Sequence, residues 1–326
     1  MNIQRGLGMT ALCGAILAAL TGCGTTDAAT PDQAAPAGAA ITVTDGNGKS
    51  VTIDGPAERV VTLEWGATEN VLHLGVEPVG IADIDGFSKW DTAVKVSGDP
   101  VDVGLRTEPN IEAIAQANPD LILGDVGSIP EDAIEQVEQI APVVLLKDND
   151  PNAPLDMMRN NFTTVANLLG KSDVAEAKLT ELDAALADAR EQIAKIENKK
   201  YVFAYFNVTG NNVDIRMHSD RAQAAALAQE LGLENAWDGP DEGDWGTGSL
   251  DLEGFSNLPD DITILSWTSG GEGSAQSTLK DNPLWSQHPA VAAGRVHDVA
   301  NGVWIYGGPA SMAQWANELA AVMTSA

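Results

Sequence analysis

Leu155-Asp156-Met157-Met158-Arg159-Asn160-Asn161-Phe162-Thr163-Thr164-Val165-Ala166-Asn167-Leu168-Leu169-Gly170 is the stretch that decides the fold. Leu155, Met158, Phe162, Val165 and Leu169 recur in steps of three and four, the period of one helical face. Gly170 closes that helix, and Ser172-Asp173 starts another that runs to about residue 197. On either side the pattern changes to short apolar runs alternating with helix-length segments. Such a chain predicts two α/β lobes connected by a helix, a stiffer link than a multi-stranded hinge. The expected division is a first lobe over residues 41–154, an interlobe helix over 155–170 and a second lobe over 171–326.

In the first lobe, residues 41–53 alternate about Asp45-Gly46-Asn47-Gly48 and predict an edge hairpin. Strands are predicted at 60–63, 79–82, 121–123 and 143–146, with helices at 67–74, 111–117 and 131–140 between them. The second lobe repeats the alternation, with strands at 201–207, 213–217, 262–265 and 295–299 and helices at 221–231 and 310–323. The arrangement predicts Rossmann-like lobes whose mostly parallel sheets are covered on both faces. A short repeat supports two equivalent halves. Asn110-Ile111-Glu112 precedes Pro119-Asp120-Leu121 in one, and Asp251-Leu252-Glu253 precedes Pro259-Asp260-Asp261 in the other.

Residues 1–22 read as an export signal, with Arg5 ahead of an apolar run that ends at Leu20. Residues 6–20 are too few for the ~20 that cross a bilayer. Leu20-Thr21-Gly22-Cys23 has the small residues that lipoprotein processing accepts before a cysteine, so Cys23 is the expected lipid site. Cys13 leaves with the signal, which excludes a disulfide or thiolate site within one mature chain. Residues 23–40, lipidated Cys and Ala/Thr/Pro/Gly-rich tether, cannot bury a core. The rest is expected as a soluble monomer on the outer face of the cytoplasmic membrane. Without Arg5, 17 basic side chains face 47 acidic ones, a balance of −30 with no basic stripe, which excludes nucleic acid as a partner.

Val103-Gly104-Leu105-Arg106-Thr107-Glu108-Pro109-Asn110 places one arginine between a glycine turn and a helix that Pro109 is expected to open. A guanidinium held there is a planar fork of donors suited to oxygen acceptors. With Trp90 sixteen residues upstream, Asn235-Ala236-Trp237, Trp245-Gly246-Thr247, Pro283-Leu284-Trp285, Gly294-Arg295-Val296 and Val303-Trp304-Ile305-Tyr306-Gly307 follow in order. From about residue 55 to the end, the chain resembles the helical-backbone (class III) periplasmic-type binding proteins that deliver ferric hydroxamate siderophores to ABC importers. The resemblance implies that Arg106, Trp90, Trp245, Trp304 and Tyr306 contact ligand, and that acidic rim residues, here Glu112 and Glu253 with Glu131 as a rival, dock on the permease. Trp65 follows a predicted strand and is a further candidate. Tyr205, Phe206, Arg216 and Met217 lie near ends of second-lobe strands, where open α/β sheets gather ligands; each either lines the cleft or packs beneath it. Trp237, Trp285 and Trp315 read as core. The chain departs from the family in having no aromatic residue between Asp91 and Asn161.

A ferric trihydroxamate is already hexacoordinate, so no protein metal ligand and no cofactor is expected, only an aromatic concavity with a few donors. The acidic balance opposes anionic ferric catecholates and citrates more than neutral or cationic hydroxamates. A corrinoid or haem receptor of the same fold is the alternative. An enzyme is the alternative of another class, but His73, His218, His288 and His297 show no metal-ligand spacing, and Gly270-Gly271-Glu272-Gly273 lacks the Lys-Ser/Thr of a phosphate loop. The lipoprotein reading predicts that Cys23→Ala releases the protein from membranes on fractionation; undiminished membrane retention of that variant would refute it.

Overall fold

Runs such as Leu121-Ile122-Leu123 and Val143-Val144-Leu145 carry no polar alternation, and strands of that kind must be covered on both faces. The computed structural model describes residues 39–209, 212–243, 245–268, 275–299 and 302–325. The export signal, Cys23 and nearly all of the tether lie outside the described residues, as does Gly270-Gly271-Glu272-Gly273. No helix among the described residues is long and apolar enough to cross a membrane.

The first sheet has the order Val101–Asp102, Gly80–Ile81, Val60–Thr62, Leu121–Asp125, Val143–Leu146, and every pairing is parallel. The edge strand Val101–Asp102 escapes sequence reading because it is two exposed residues long. The expected hairpin is present, with Ile41–Thr44 paired antiparallel to Ser50–Ile53. Near Arg106 the local reading needs correction. Gly104–Leu105 and Glu108–Pro109 pair as a tiny antiparallel hairpin with Arg106-Thr107 at its tip. Pro109 therefore sits in a strand. The helix Ile111–Ala117 is opened by Asn110, whose side chain accepts from the Ala113 N–H at 3.1 Å. Gly104 has φ +94°, and a Cβ there would stand 2.8 Å from the Asn110 nitrogen, so the bend leading to Arg106 requires glycine.

The second sheet is mixed. Lys200–Thr209 pairs antiparallel with Asn212–His218, which pairs antiparallel with Thr247–Leu250. On its other side the order continues in parallel through Thr263–Thr268 to Val296–Asp298. Two residues separate the first pair in sequence, too few for the crossover a parallel neighbour needs. Among the described residues parallel pairings still predominate, as the alternation of elements predicts.

Pro154–Leu168 and Ser172–Ile193 form the helical connection, broken where Gly170 adopts φ +64°. The final helix, Pro309–Ser325, packs along Ser172–Ile193 and Gln223–Glu230. One apolar cluster runs through both lobes, joining Trp65 and Phe87 to Met158 of the connection and to Tyr201, Phe203 and Trp315 beyond it. A hinge would have to break that shared core.

A polar clamp reinforces it. Glu69, fully buried on the helix Trp65–His73, accepts from the Gly308 N–H at 2.8 Å and the Ser311 N–H at 3.0 Å, at the start of the final helix. Those amides carry the partial positive charge of a helix N-terminus, which compensates a buried carboxylate. Asp91, also buried, contacts Glu69 through its side chain, and burial together with the Glu69 charge pushes its pKa up to about 9. Among the described residues no donor reaches Asp91 Oδ2, so the pair is satisfied when Asp91 keeps its proton and shares it with Glu69.

Two expectations follow from this packing. Lobes with one core should keep their arrangement on binding, so small-angle scattering should show a radius of gyration that changes by less than about 1 Å with ligand, against a larger decrease if a hinge closes. Asp91 has a folded pKa above its ordinary 3.8, so its contribution favours folding most below that value and fades as pH rises toward about 9. Asp91→Asn keeps a donor to Glu69 without an ionisable proton. Its stability to urea should fall less than the parent's between pH ~5 and ~8; identical pH profiles would show that Asp91 is not held protonated.

Candidate ligand-binding cleft

A cavity of about 410 Å³ opens at the carboxyl ends of the first-lobe strands, against the second lobe. Glu64, Arg106, Asp125 and Asp148 line it from the first lobe, and Arg216, Trp245, Thr247, Trp304 and Tyr306 from the second. Each first-lobe group follows a strand or ends one, as expected for ligand sites of open α/β sheets. A hollow of about 560 Å³ near Pro56 and Pro142 is larger, but it has no aromatic ring and no cationic side chain. Chemistry rather than volume selects the interlobe cavity.

Arg106 is held on three sides. Its Nη1 donates to Glu64 Oε1 at 2.5 Å, its guanidinium carbon stands 3.9 Å from the Trp65 ring centre, and Trp304 is 5.6 Å away. Burial raises the Glu64 pKa and the Arg106 charge opposes that rise. The ion pair and the ring stack fix the plane of the fork and leave other N–H groups for a ligand. Arg216 stands opposite, exposed, 5.5 Å from the Tyr205 ring centre and without an ion pair among the described residues.

Tyr306 is oriented from behind. His218 Nδ1 lies 3.3 Å from the Phe203 carbonyl and its Nε2 3.2 Å from the Tyr306 hydroxyl. A carbonyl only accepts, so Nδ1 carries the proton. Burial lowers the His218 pKa to about 4, so the ring is neutral and Nε2 accepts from Tyr306. The hydroxyl oxygen is then turned toward the cleft as an acceptor.

An aromatic row connects the walls. Trp65 meets Trp304 edge-on at 4.9 Å; Trp304 neighbours Tyr306 at 5.4 Å and Trp267 at 6.2 Å. Trp245 adjoins Tyr306 at 5.3 Å, and Trp267 adjoins both Tyr205 and Trp90 at 5.4 Å. Arg106, Arg216, Trp245, Trp304 and Tyr306 thus come together at the cavity. Trp65 lies beneath Arg106, Tyr205 beneath Arg216, and Trp90 flanks Trp267.

Phe206 and Met217 do not reach the cleft. Both are fully buried on the other side of the sheet, where Phe206 packs edge-on against Phe255 and Trp285. Tyr205 and Arg216 are cross-strand partners on the cleft side, and side chains one residue away point to the opposite face. Trp237, Trp285 and Trp315 are buried, as their sequence context predicts. Glu112 and Glu253 are exposed in the first turns of two short helices, each opened by an Asx side chain, Asn110 or Asp251, accepting from the N–H three residues on. The sequence repeat is therefore also a structural one.

Glu64, Asp125, Asp148, Thr247 and Trp267 are cleft or near-cleft residues that motif reading passes over. Asp125 and Trp267 had a usable signal, a polar or bulky residue ending an apolar strand run. Asp125 is the last residue of its strand, within the stretch of sequence that lacks an aromatic. Among the described residues, no group of His, Cys, Asp and Glu could hold a metal ion.

The chain is similar to several known proteins. The Fe(3+)-citrate-binding protein YfmC of Bacillus subtilis is 32% identical over 263 residues, 80% of this chain and 78% of that one. The iron(3+)-hydroxamate-binding protein FhuD of Escherichia coli is 28% identical over 252 residues, 76% and 81% of the two chains. The crystal structure of Fe3+-Desferal-bound FhuD from Vibrio cholerae superposes with a TM-score of 0.71 at 28% identity, covering 82% of this chain and 98% of that chain. With a family match that spans residues 60–301, the chain belongs to the Periplasmic binding protein family.

Proposed function

We propose that the chain is an extracytoplasmic receptor that captures a ferric siderophore of the hydroxamate type and passes it to an ABC importer for iron uptake. The observation that carries this reading is the pair of guanidiniums, Arg106 and Arg216, facing one cavity beside a row of aromatic rings. Such a site suits a hexacoordinate iron complex, because the rings cover its apolar body and the fixed fork donates to its ligand oxygens. The names of relatives, FhuD and YfmC among them, support iron complexes as the ligand class. Ferric citrate is the second reading, favoured by the likeness to YfmC. Glu64 neutralises Arg106, and Asp125 and Asp148 share the wall, so a multiply charged anion meets fewer free cations here than the two arginines suggest. Hydroxamates avoid that cost.

Lipid attachment at Cys23 after removal of residues 1–22, a tether up to residue 40 and docking through Glu112 and Glu253 complete the proposal. The exposed, similarly capped positions of these two glutamates support the docking role, and the described residues hold no membrane-spanning helix.

Tryptophan-quenching titration against Fe3+-Desferal, a cyclic ferric trihydroxamate and ferric citrate tests the reading. The hydroxamates should bind and citrate should bind more weakly; binding of citrate alone would reverse the proposal. Arg106→Ala should weaken hydroxamate binding about 10- to 150-fold, the equivalent of roughly 1.5 to 3 kcal/mol for a charge-assisted bond. Arg106→Lys should restore only part, since an ammonium loses the planar fork and its stack on Trp65. Undiminished affinity in Arg106→Ala would remove Arg106 from the site.

A further inference from the structure

Beside the main cavity lies a small chamber of about 20 Å³, lined in part by Asn70, Asp125, Asp148, Met157 and Tyr306. Asp125, Asp148 and Tyr306 belong to both walls, so the chamber is a recess of the ligand cleft. Its polar groups are unusual for their lack of partners. Asn70 is 4% exposed, and its Oδ1 receives no hydrogen bond from the described residues. The buried Asp148 Oδ1 is in the same condition. A buried acceptor without a donor costs about 1 to 3 kcal/mol, so groups of this kind call for an explanation. Asn70 follows Glu69 in the helix whose buried carboxylate clamps the lobes, and Gly308 passes so close that a Cβ would stand 2.1 Å from Asn70 Oδ1. The Gly308 backbone thus packs directly against this amide oxygen.

We infer that this recess seats a primary ammonium group carried by the ligand, with Asn70 Oδ1 and the carboxylates of Asp125 and Asp148 accepting its three N–H bonds. The inference rests on the hydroxamate reading and narrows it to siderophores with a pendant amine. An ammonium has three donors and no acceptor, the complement of these three oxygens, while the Asn161 and Gln223 amides on the same wall donate to the Lys147 and Gly307 carbonyls. Its size suits the space, since a water-sized group needs roughly 10 to 15 Å³. A neutral hydroxyl supplies one donor and leaves the other oxygens unmet, and an anionic group is repelled. Burial raises the pKa of both carboxyl groups, that of Asp148 to about 7, and a cation between them favours their ionised forms. Lys147 also borders the chamber, but its Nζ donates to Asp150 at 2.9 Å. The recess thus recognises a feature of the ligand remote from the iron, while Arg106 addresses the iron-bound oxygens.

The test compares Fe3+-Desferal, a linear trihydroxamate ending in a primary amine, with the same complex N-acetylated at that amine, by calorimetric titration of the parent and of Asp148→Asn. Acetylation removes the charge and leaves the iron centre untouched. The amine complex should bind the parent about tenfold or more tighter than the acetylated one, and Asp148→Asn should shrink that ratio to about threefold or less by weakening the amine complex more than the acetylated one. Equal affinity of the two complexes for the parent overturns the ammonium seat and leaves the hydroxamate reading standing. So does an Asp148→Asn variant that weakens both complexes by the same factor. Failure of both complexes to bind a parent that binds ferric citrate removes both proposals together.

Discussion

The carboxylate of Glu69 is the interaction on which the two-lobed arrangement depends. It comes from the first lobe, and the amides it accepts from open the last helix of the second. Such a contact tolerates little variation, because a carboxylate buried this deeply is stable only with its donors in place. Three features of the chain follow from it. Gly307 and Gly308 must be glycine, since a Cβ on either would stand 2.1 Å from the oxygen of Glu69 or Asn70. Gln223 secures the same turn by donating to the Gly307 carbonyl at 2.7 Å. Asp91 must hold a proton, since two adjacent buried carboxylates cannot both ionise.

The clamp also places the ligand site. Trp304 and Tyr306 stand immediately before Gly307-Gly308, and Trp65 and Glu64 stand one turn before Glu69 and Asn70. Fixing the glycine turn against Glu69 brings these four side chains together, with Arg106 between Trp65 and Trp304. The aromatic row is thus an extension of the interlobe contact, and the apolar cluster beneath it belongs to both lobes. The residues that pack the interlobe contact are also the ones that border the candidate cleft. Replacement of Trp65 or Trp304 changes packing as well as contact area.

The architecture was legible in the sequence because it rests on long periodic signals. Residues 155–169 show the helical period without ambiguity, and the observed helix, Pro154–Leu168, is displaced by one residue. The strand Val101–Asp102 and the hairpin that presents Arg106 were not legible, because two-residue strands have no period to read. Within the cleft, aromatic residues beside glycine were visible as candidates. Phe206 shows the limit of that approach. It adjoins Tyr205 in sequence and shares its chemistry, and only the pleat separates a ring in the cleft from one in the core. The acidic residues were hidden for another reason. Among 47 carboxylates, nothing in composition distinguishes Glu64, Asp125 and Asp148 from those that merely keep the surface charged.

Rigidity and charge together constrain what the cleft can select. Lobes that share a core cannot close tightly around a ligand, so selectivity has to be built into groups already in position, and preorganisation replaces induced fit. A strongly acidic chain could bind an iron complex of any charge only by collecting cations locally, yet one of the two arginines is committed to Glu64. The residual field of the cavity therefore depends on whether Asp125 and Asp148 are ionised, and burial places that choice near neutrality for Asp148. A cation beside these carboxyl groups favours their ionised forms and an anion their neutral ones, so the charge of this wall depends on what lies against it.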